Sequence, residues 1–410
     1  MSTLQPGPRP EWVQRFNSVG DPGWIPIDGA SLIEEARART GLSDFGGDSW
    51  RAGYDVFVAA LENEAQLNLV GRVLARSDLL NWLENRLRIT ETIQRNPEIS
   101  GERIDAPIFI TGLPRTGTSI LHELLGQDPA HRVPLAWEVR YPVPPPETAT
   151  YTTDPRIERA EEDIRLWCDI VPEYDSMHEL GGRIPVECVQ LTAHEFRSDE
   201  LPGRHLVPSY SSWLAEADLE PAYAFHKRML QLLQWRCPGD RWVLKAPSHL
   251  PALAPLLAVY PDARIVQTHR DPLKVLPSVA SILFSTAWVR SDAVDPEQVL
   301  GWFTGETCRY LLDSAEAVRN SGIAPPGQFC DVRYADLMRD PFDTLAGVYR
   351  HYEIPFTTEA ESAMRSYLDA KPKGKHGAHR YAFEDTGLDK KEERGRFADY
   401  LEKYGVPAEE

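Results

Sequence analysis

Residues 107–127, PIFITGLPRTGTSILHELLGQ, decide how this chain folds. Ile108, Phe109 and Ile110 form a short apolar run that Thr111, Gly112, Leu113 and Pro114 interrupt. Ile120, Leu121, Leu124 and Leu125 then recur at helical spacing. The pattern predicts a buried strand, a tight loop and an amphipathic helix. Arg115, Thr116, Gly117, Thr118 and Ser119 fall where the loop enters the helix. First-turn N–H groups have no intrahelical partner and the helix dipole is positive there, so this segment is a candidate anion cradle.

Gly112 and Gly117 occupy the two glycine positions of a nucleotide-phosphate loop, G-x-x-x-x-G-K-[ST]. Thr118 stands where that loop has its lysine, and Ser119 fills the hydroxyl position. The cation lies inside the loop instead, at Arg115. Without the lysine, triphosphate hydrolysis is disfavoured while a phosphate cradle remains. The bland alternative is a strand–turn–helix that binds nothing.

Working outward, two further strand–turn–helix units follow. Arg241–Lys245 reads as a strand, 246–249 as a turn and 250–259 as a helix. Residues 263–268 then read as a strand running into His269–Arg270–Asp271–Pro272 and a helix from Leu273 to Phe284. Residues 328–333 read as another strand. Strands alternating with helices predict an α/β fold, a parallel sheet with helices on both faces. Ligands in such sheets bind at the carboxyl ends of the strands. Arg115, Lys245, His249 and Arg270 each follow a strand end, which predicts one shared cleft.

Upstream, residues 1–28 are rich in Pro and Gly and read as an extended arm. Residues 29–39, 49–63 (with Ser49 as cap) and 67–94 read as helices, the last stopped by Pro97. Residues 1–104 are thus an arm and helical layer belonging to the same domain as 105–410, since no flexible linker divides them. Between the first two strand units, the prolines at 142 and 144–146 exclude regular structure. Helices are expected at 157–167, 188–196 and 221–235, with 197–210 irregular, and further helices at 296–320 and from 337 to about 369.

Composition excludes several classes. The net charge of −18 makes nucleic acid a poor partner, because that needs a basic footprint. An anion site must then be a local basic pocket. Five cysteines (Cys168, Cys188, Cys237, Cys308, Cys330) without metal-ligand spacing read as free thiols in a reducing, cytoplasmic setting. No apolar run is long enough for a membrane span. Residues 371–377, KPKGKHG, form a basic patch that reads either as a solvated turn or as a flap over a phosphate.

These residues together resemble the sulfotransferase family that uses 3′-phosphoadenosine 5′-phosphosulfate (PAPS), and within it the bacterial branch related to the mycobacterial enzymes. The resemblance covers roughly residues 105 to 400. It implies a P-loop-like sulfotransferase fold. It assigns Pro114, Arg115, Thr116, Gly117, Thr118 and Ser119 to the 5′-phosphosulfate loop. Arg115 stands where many relatives have lysine and the bacterial and Golgi branches have arginine. Arg270, with Ser278 eight residues on, is similar to the pair that holds the 3′-phosphate. Lys245–Pro251, KAPSHLP, resembles the segment carrying the catalytic histidine of cytosolic members. Arg333 and Tyr334 resemble a segment whose tyrosine lies near the adenine. Lys373, Gly374 and Lys375 are similar to the C-terminal cofactor lid, though out of the usual order.

The implied reaction is in-line sulfuryl transfer to a hydroxyl of a small-molecule, lipid or glycolipid acceptor, yielding PAP and a sulfate ester, without a metal ion. Arg115 and the loop amides would stabilise the leaving 5′-phosphate, and Lys245 would assist. For the base, His249 ranks first, then Glu187, then Glu138. His122, on the helix after the loop, reads as packing or solvated. A P-loop kinase or NTPase is the alternative enzyme class. A non-catalytic nucleotide-binding protein is the other alternative. The first hundred residues could wall the acceptor pocket or form a homo-oligomer contact.

Overall fold

The computed structural model describes residues 7–177, 179–371 and 382–409. Its centre is a five-stranded parallel sheet in the order β2-β3-β1-β4-β5. The strands are β1 (Ile108–Gly112), β2 (His131–Arg132), β3 (Arg241–Lys245), β4 (Arg264–His269) and β5 (Phe329–Arg333). All of β1, and all of β3 and β4 after the first residue, is buried. That is why these strands read as unbroken apolar runs. β5, at an edge, alternates between covered and open positions.

The register pairs Ile108 with Val243 on one side and Arg264 on the other. Connections leaving β1 run to β2 and β3, and the connection leaving β3 crosses over to β4 and β5. The loops after β1 and β4 therefore flank the point where the winding reverses, the place such sheets bind ligands.

In chain order the helices begin with α1 (Glu11–Val19), α2 (Gly29–Thr40), α3 (Arg51–Asn63) and α4 (Leu69–Arg95). Asp28 and Asn68 cap α2 and α4 by accepting from Ser31 N and Gly71 N. α5 (Thr118–Leu125) leaves the β1 loop, and α6 (Ala136–Arg140), α7 (Arg156–Ile170), α8 (Cys188–Thr192), α9 (Glu200–Arg204), α10 (Pro208–Glu216) and α11 (Glu220–Gln234) precede β3. α12 (Leu253–Val259), α13 (Pro272–Trp288), α14 (Pro296–Trp302) and α15 (Gly305–Asn320) lie between β3 and β5. α16 (Tyr334–Arg339), α17 (Pro341–His351), α18 (Thr358–Ala370), α19 (Lys390–Arg396) and α20 (Ala398–Tyr404) complete the chain order. One core lies under α11, α12, α13 and α15 and a second under α5 and α17. The amino-terminal helices share a third with residues 193–214, through Tyr54, Leu79, Leu83, Phe196 and Tyr210.

Several sequence expectations are corrected. The arm 1–28 contains α1, whose Val13 is buried against Val70, Ile170 and Val289. Ser49 does not cap α3; Trp50 occupies the cap position without a side-chain bond, and Ser49 gives its carbonyl to Arg197 Nη1. Residues 197–210 hold α9 and the start of α10. The helix at 188–196 stops at Thr192 and passes through a single 3₁₀ turn to Phe196, whose φ is +52°. The helix at 296–320 breaks at Phe303, and Thr304 caps α15 by accepting from Thr307 N at 3.2 Å. β2, at His131–Arg132, is not expected from the sequence.

Candidate active site

The loop 113–117 is shaped by two glycines. Gly112 has φ +150°, and a Cβ there would lie 2.2 Å from Thr268 Oγ1 and 2.6 Å from the Thr268 carbonyl. Glycine therefore lets β1 and β4 approach at the loop's root. Gly117, φ +89°, is the N-cap of α5, where the ring of Tyr334 packs over it. Thr116 is buried and pins the loop: its Oγ1 donates to the Leu113 carbonyl at 2.6 Å and lies 2.6 Å from Thr268 Oγ1. Arg115 is half-buried at the crest with φ +65° and donates Nη1 to the Met177 carbonyl at 3.2 Å. Its Nε is buried without a hydrogen-bond partner.

Lys245, at the end of β3, is 2 % exposed. Its ammonium pairs with the Glu187 carboxylate and donates to Ser119 Oγ at 3.3 Å. Arg270, just after β4, donates Nη1 to the Arg115 carbonyl at 2.9 Å and holds the Glu409 carboxylate through Nε and Nη2 at 2.9 and 3.0 Å. The Arg270 guanidinium lies 4.0 Å above the Tyr334 ring. Asp271 caps α13 through Leu273 N at 3.0 Å.

A cavity of about 1270 Å³ joins these groups. Pro114, Arg115, Gly117, Thr118, Ser119, Glu187, Arg270 and Tyr334 line it. Of the four residues expected to share a cleft, Arg115 and Arg270 are in this wall, Lys245 reaches it through Ser119 and Glu187, and His249 is outside it. Much of the remaining wall is apolar, including Leu74, Trp82, Ile164, Trp167, Ile282 and Leu283. Polar groups that sequence reading did not single out also face it. Asp78 binds Arg204 at 3.0 Å and Arg290 at 2.8 Å, and this company holds its carboxyl down at about 2 against the cost of burial. Asp199 opens onto the cavity, where desolvation raises it to about 6. These residues sit on α4, α9 and flanking loops, and no local motif marks them.

Other expected residues lie elsewhere. His249, first in the sequence ranking, is 2 % exposed behind the wall, its ring 5.1 Å from that of Phe109. Its Nδ1 lies 2.7 Å from Tyr223 Oη, and its Nε2 is enclosed without a partner. Burial holds it well below the ordinary histidine value. Glu138 is fully buried. Arg132, Tyr151 Oη (2.9 Å) and Leu135 N (3.1 Å) occupy its oxygens, so it acts as a structural anchor where sequence reading offered it as a base. Ser278 is buried in α13 with its Oγ unpartnered. Arg333 turns to Asp336 at 2.6 Å, away from the cavity. His122 is buried and bonded to the Val243 carbonyl at 3.0 Å, so packing is its role. Lys373, Gly374 and Lys375 lie outside the described residues; Lys371, before them, reaches the cavity and binds Glu123 at 2.6 Å and Glu179 at 2.5 Å.

The model of a sulfotransferase family matches residues 107–358, from β1 through α17. This chain belongs to the sulfotransferase family. Two crystal structures superpose on nearly all of this sulfotransferase. The sulfotransferase STF9 of Mycobacterium avium gives a TM-score of 0.84 at 31 % identity, covering 94 % of this chain and 98 % of that one. STF1 of Mycobacterium tuberculosis gives 0.79 at 35 %, covering 90 % and 98 %. Among curated proteins, the omega-hydroxy-beta-dihydromenaquinone-9 sulfotransferase Stf3 of Mycobacterium bovis is 27 % identical over 292 residues, 68 % of this chain and 69 % of the relative.

The expected parallel-sheet fold and the sulfotransferase assignment both hold. The family uses PAPS as sulfuryl donor. The residues in place suit such a group: an amide-rich helix start, the unsatisfied donors Arg115 Nε and Ser278 Oγ, and the Arg270 guanidinium already gripping an anion. Among the described residues no cluster of three or more His, Cys, Asp or Glu side chains is arranged to hold a metal, and no helix is long and apolar enough to cross a membrane.

Proposed function

We propose that this sulfotransferase moves a sulfuryl group from PAPS to the hydroxyl of an apolar, lipid-type acceptor, without a metal ion. The observation that carries the reading is the position of Glu187. It lines the apolar cavity together with Arg115 and Ser119, with its side chain 27 % exposed and its carboxylate oriented by a covered lysine.

When bound, PAPS supplies the sulfuryl group and a 5′-phosphate leaving group. Arg115 and the first-turn amides of α5 would bind the 5′ end and stabilise the negative charge that grows there. Arg270 and Ser278 would hold the 3′-phosphate, and Tyr334, whose ring lies under the Arg270 guanidinium, would pack against the nucleoside. Glu187 accepts the acceptor's proton as the oxygen attacks in line. Lys245 orients Glu187 and, through Ser119, ties it to the α5 start. His249 takes no part in proton transfer, because neither ring nitrogen reaches the cavity.

The acceptor class rests on the wall. Trp82, Ile164, Trp167, Ile282 and Leu283 offer an apolar surface that a long hydrocarbon chain would cover. The relative Stf3 is named for a dihydromenaquinone acceptor, a lipid of that character.

Titration calorimetry with PAP in EDTA, and with ATP and magnesium, tests the nucleotide half of the reading. The expected result is PAP binding that is indifferent to magnesium and tighter than that of ATP. Preference for magnesium-ATP would overturn it.

A further inference from the structure

The carboxylate on Arg270 belongs to the chain itself. Glu409, in the segment that follows α20, presents both oxygens to Nε and Nη2 of Arg270 at 2.9 and 3.0 Å. This is the paired, parallel geometry with which an arginine grips a carboxylate or a phosphate. The contact is enclosed: the Arg270 side chain is 14 % exposed and Glu409 29 %. The segment is also anchored. Glu409 N donates to Asp271 Oδ2 at 2.7 Å, the oxygen that Arg394 Nη1 also binds at 2.7 Å, and Gly405 closes α20 in the left-handed conformation.

We infer that Glu409 is an internal competitor for the anionic group that Arg270 binds, so that its carboxylate sets the affinity of the nucleotide site. The inference rests on the proposed function, in which that group is the 3′-phosphate of PAPS. One arginine edge cannot donate to both anions at once. A phosphate dianion brings more charge than a carboxylate, so it displaces Glu409 at the expense of the contact. The displaced segment frees Asp271 Oδ2 of one donor and leaves Arg394 nearby as a second cation. Apparent affinity then falls by the fraction of molecules in which Glu409 has let go. A site held closed nine times in ten loses about tenfold.

The experiment is titration of the full chain with PAP and, separately, with adenosine 5′-monophosphate, which has no 3′-phosphate. It uses wild type, Glu409→Gln, Arg270→Ala and the double variant, with thermal melting to check that each folds. Glu409→Gln should tighten PAP about tenfold and leave the monophosphate unchanged. In the Arg270→Ala background, Glu409→Gln should have no effect on PAP, because the two act as a pair. Unchanged or weaker PAP binding by Glu409→Gln, or equal tightening in the double variant, would overturn the inference while Arg270→Ala still tests the site separately. If Arg270→Ala binds PAP as wild type does, the nucleotide assignment itself falls.

Discussion

The Lys245 ammonium and the Glu187 carboxylate form an asymmetric ion pair: the lysine side chain is 3 % exposed and the glutamate 27 %. The cation is locked at the end of β3 while its partner opens onto the cavity. Such a pair can hold a base in one orientation without covering its free oxygen. Glu187→Gln should lower kcat by about 10²–10⁴-fold, the usual worth of a positioned base, with little change in the KM for PAPS. Lys245→Met should lower kcat too, and the double variant should lose far less than the product of the two. Steady-state rates across this cycle check it; additive losses would separate the two roles.

His249 separates the reading from its rival. Removing this side chain leaves a cavity beside Phe109 and strips Tyr223 of its partner. His249→Ala should therefore cost about 2–4 kcal/mol of stability. Its kcat at a temperature where it is folded should stay within about tenfold of wild type, well short of the loss of a general base. A loss of 10³ in kcat with an unchanged Tm would restore histidine as the base.

Acid should destabilise the fold early. His122, His205 and His226 are pushed down to about 3, His194 to about 4, and His249 well below its ordinary value, all chiefly by desolvation. Each is neutral when folded and protonates on unfolding once pH drops below about 6.5. The unfolded state then binds more protons, so stability falls as pH falls. Each contributes up to about 1.4 kcal/mol per pH unit over the window from about 6.5 down to its folded value. Urea midpoints measured between pH 7.5 and 5.5 should drop steeply; a flat profile would show that these rings are hydrated.

Gly112→Ala tests the loop root. The new methyl would meet backbone as well as side chain of Thr268, at a φ that residues with a side chain avoid. The substitution should cost about 2–4 kcal/mol and separate β1 from β4. Thermal unfolding together with PAP titration would register both effects.

Much of the sheet was legible because its strands are buried on both faces. β3 spans the residues that the apolar run marks, and β4 and β5 shift by only a residue. β2 has two residues and so carries no periodicity. α1 was hidden by the prolines on either side of it, although Pro10 is the N-cap and Val13 is the residue it buries. Loop residues Arg115 and Ser119 were readable because motif spacing fixes them to the start of α5. The depth of His249 was not, since it depends on Tyr223 and Phe109, far away in sequence. Glu138 likewise looks like any surface glutamate until Arg132 and Tyr151 close around it. Glu409 carries no local signal, and only the tertiary fold brings it to Arg270.

Acceptor length offers a direct test of the cavity. Among primary alcohols with the same head, kcat/KM should rise with each added methylene until the apolar wall is covered, by up to a factor of about 4 per group, as expected for ~0.8 kcal/mol of burial. Rates that ignore chain length would place the acceptor outside this cavity.

The most direct measurement of the central claim is single-turnover transfer from sulfur-35-labelled PAPS to a long-chain isoprenoid alcohol, by wild type and Glu187→Gln, with EDTA present. The account expects label to appear in the lipid as a sulfate ester with wild type. It expects the rate to fall by at least about a hundredfold in Glu187→Gln while PAP still binds. Label transferred equally well by both proteins, or only after magnesium is added, would contradict it.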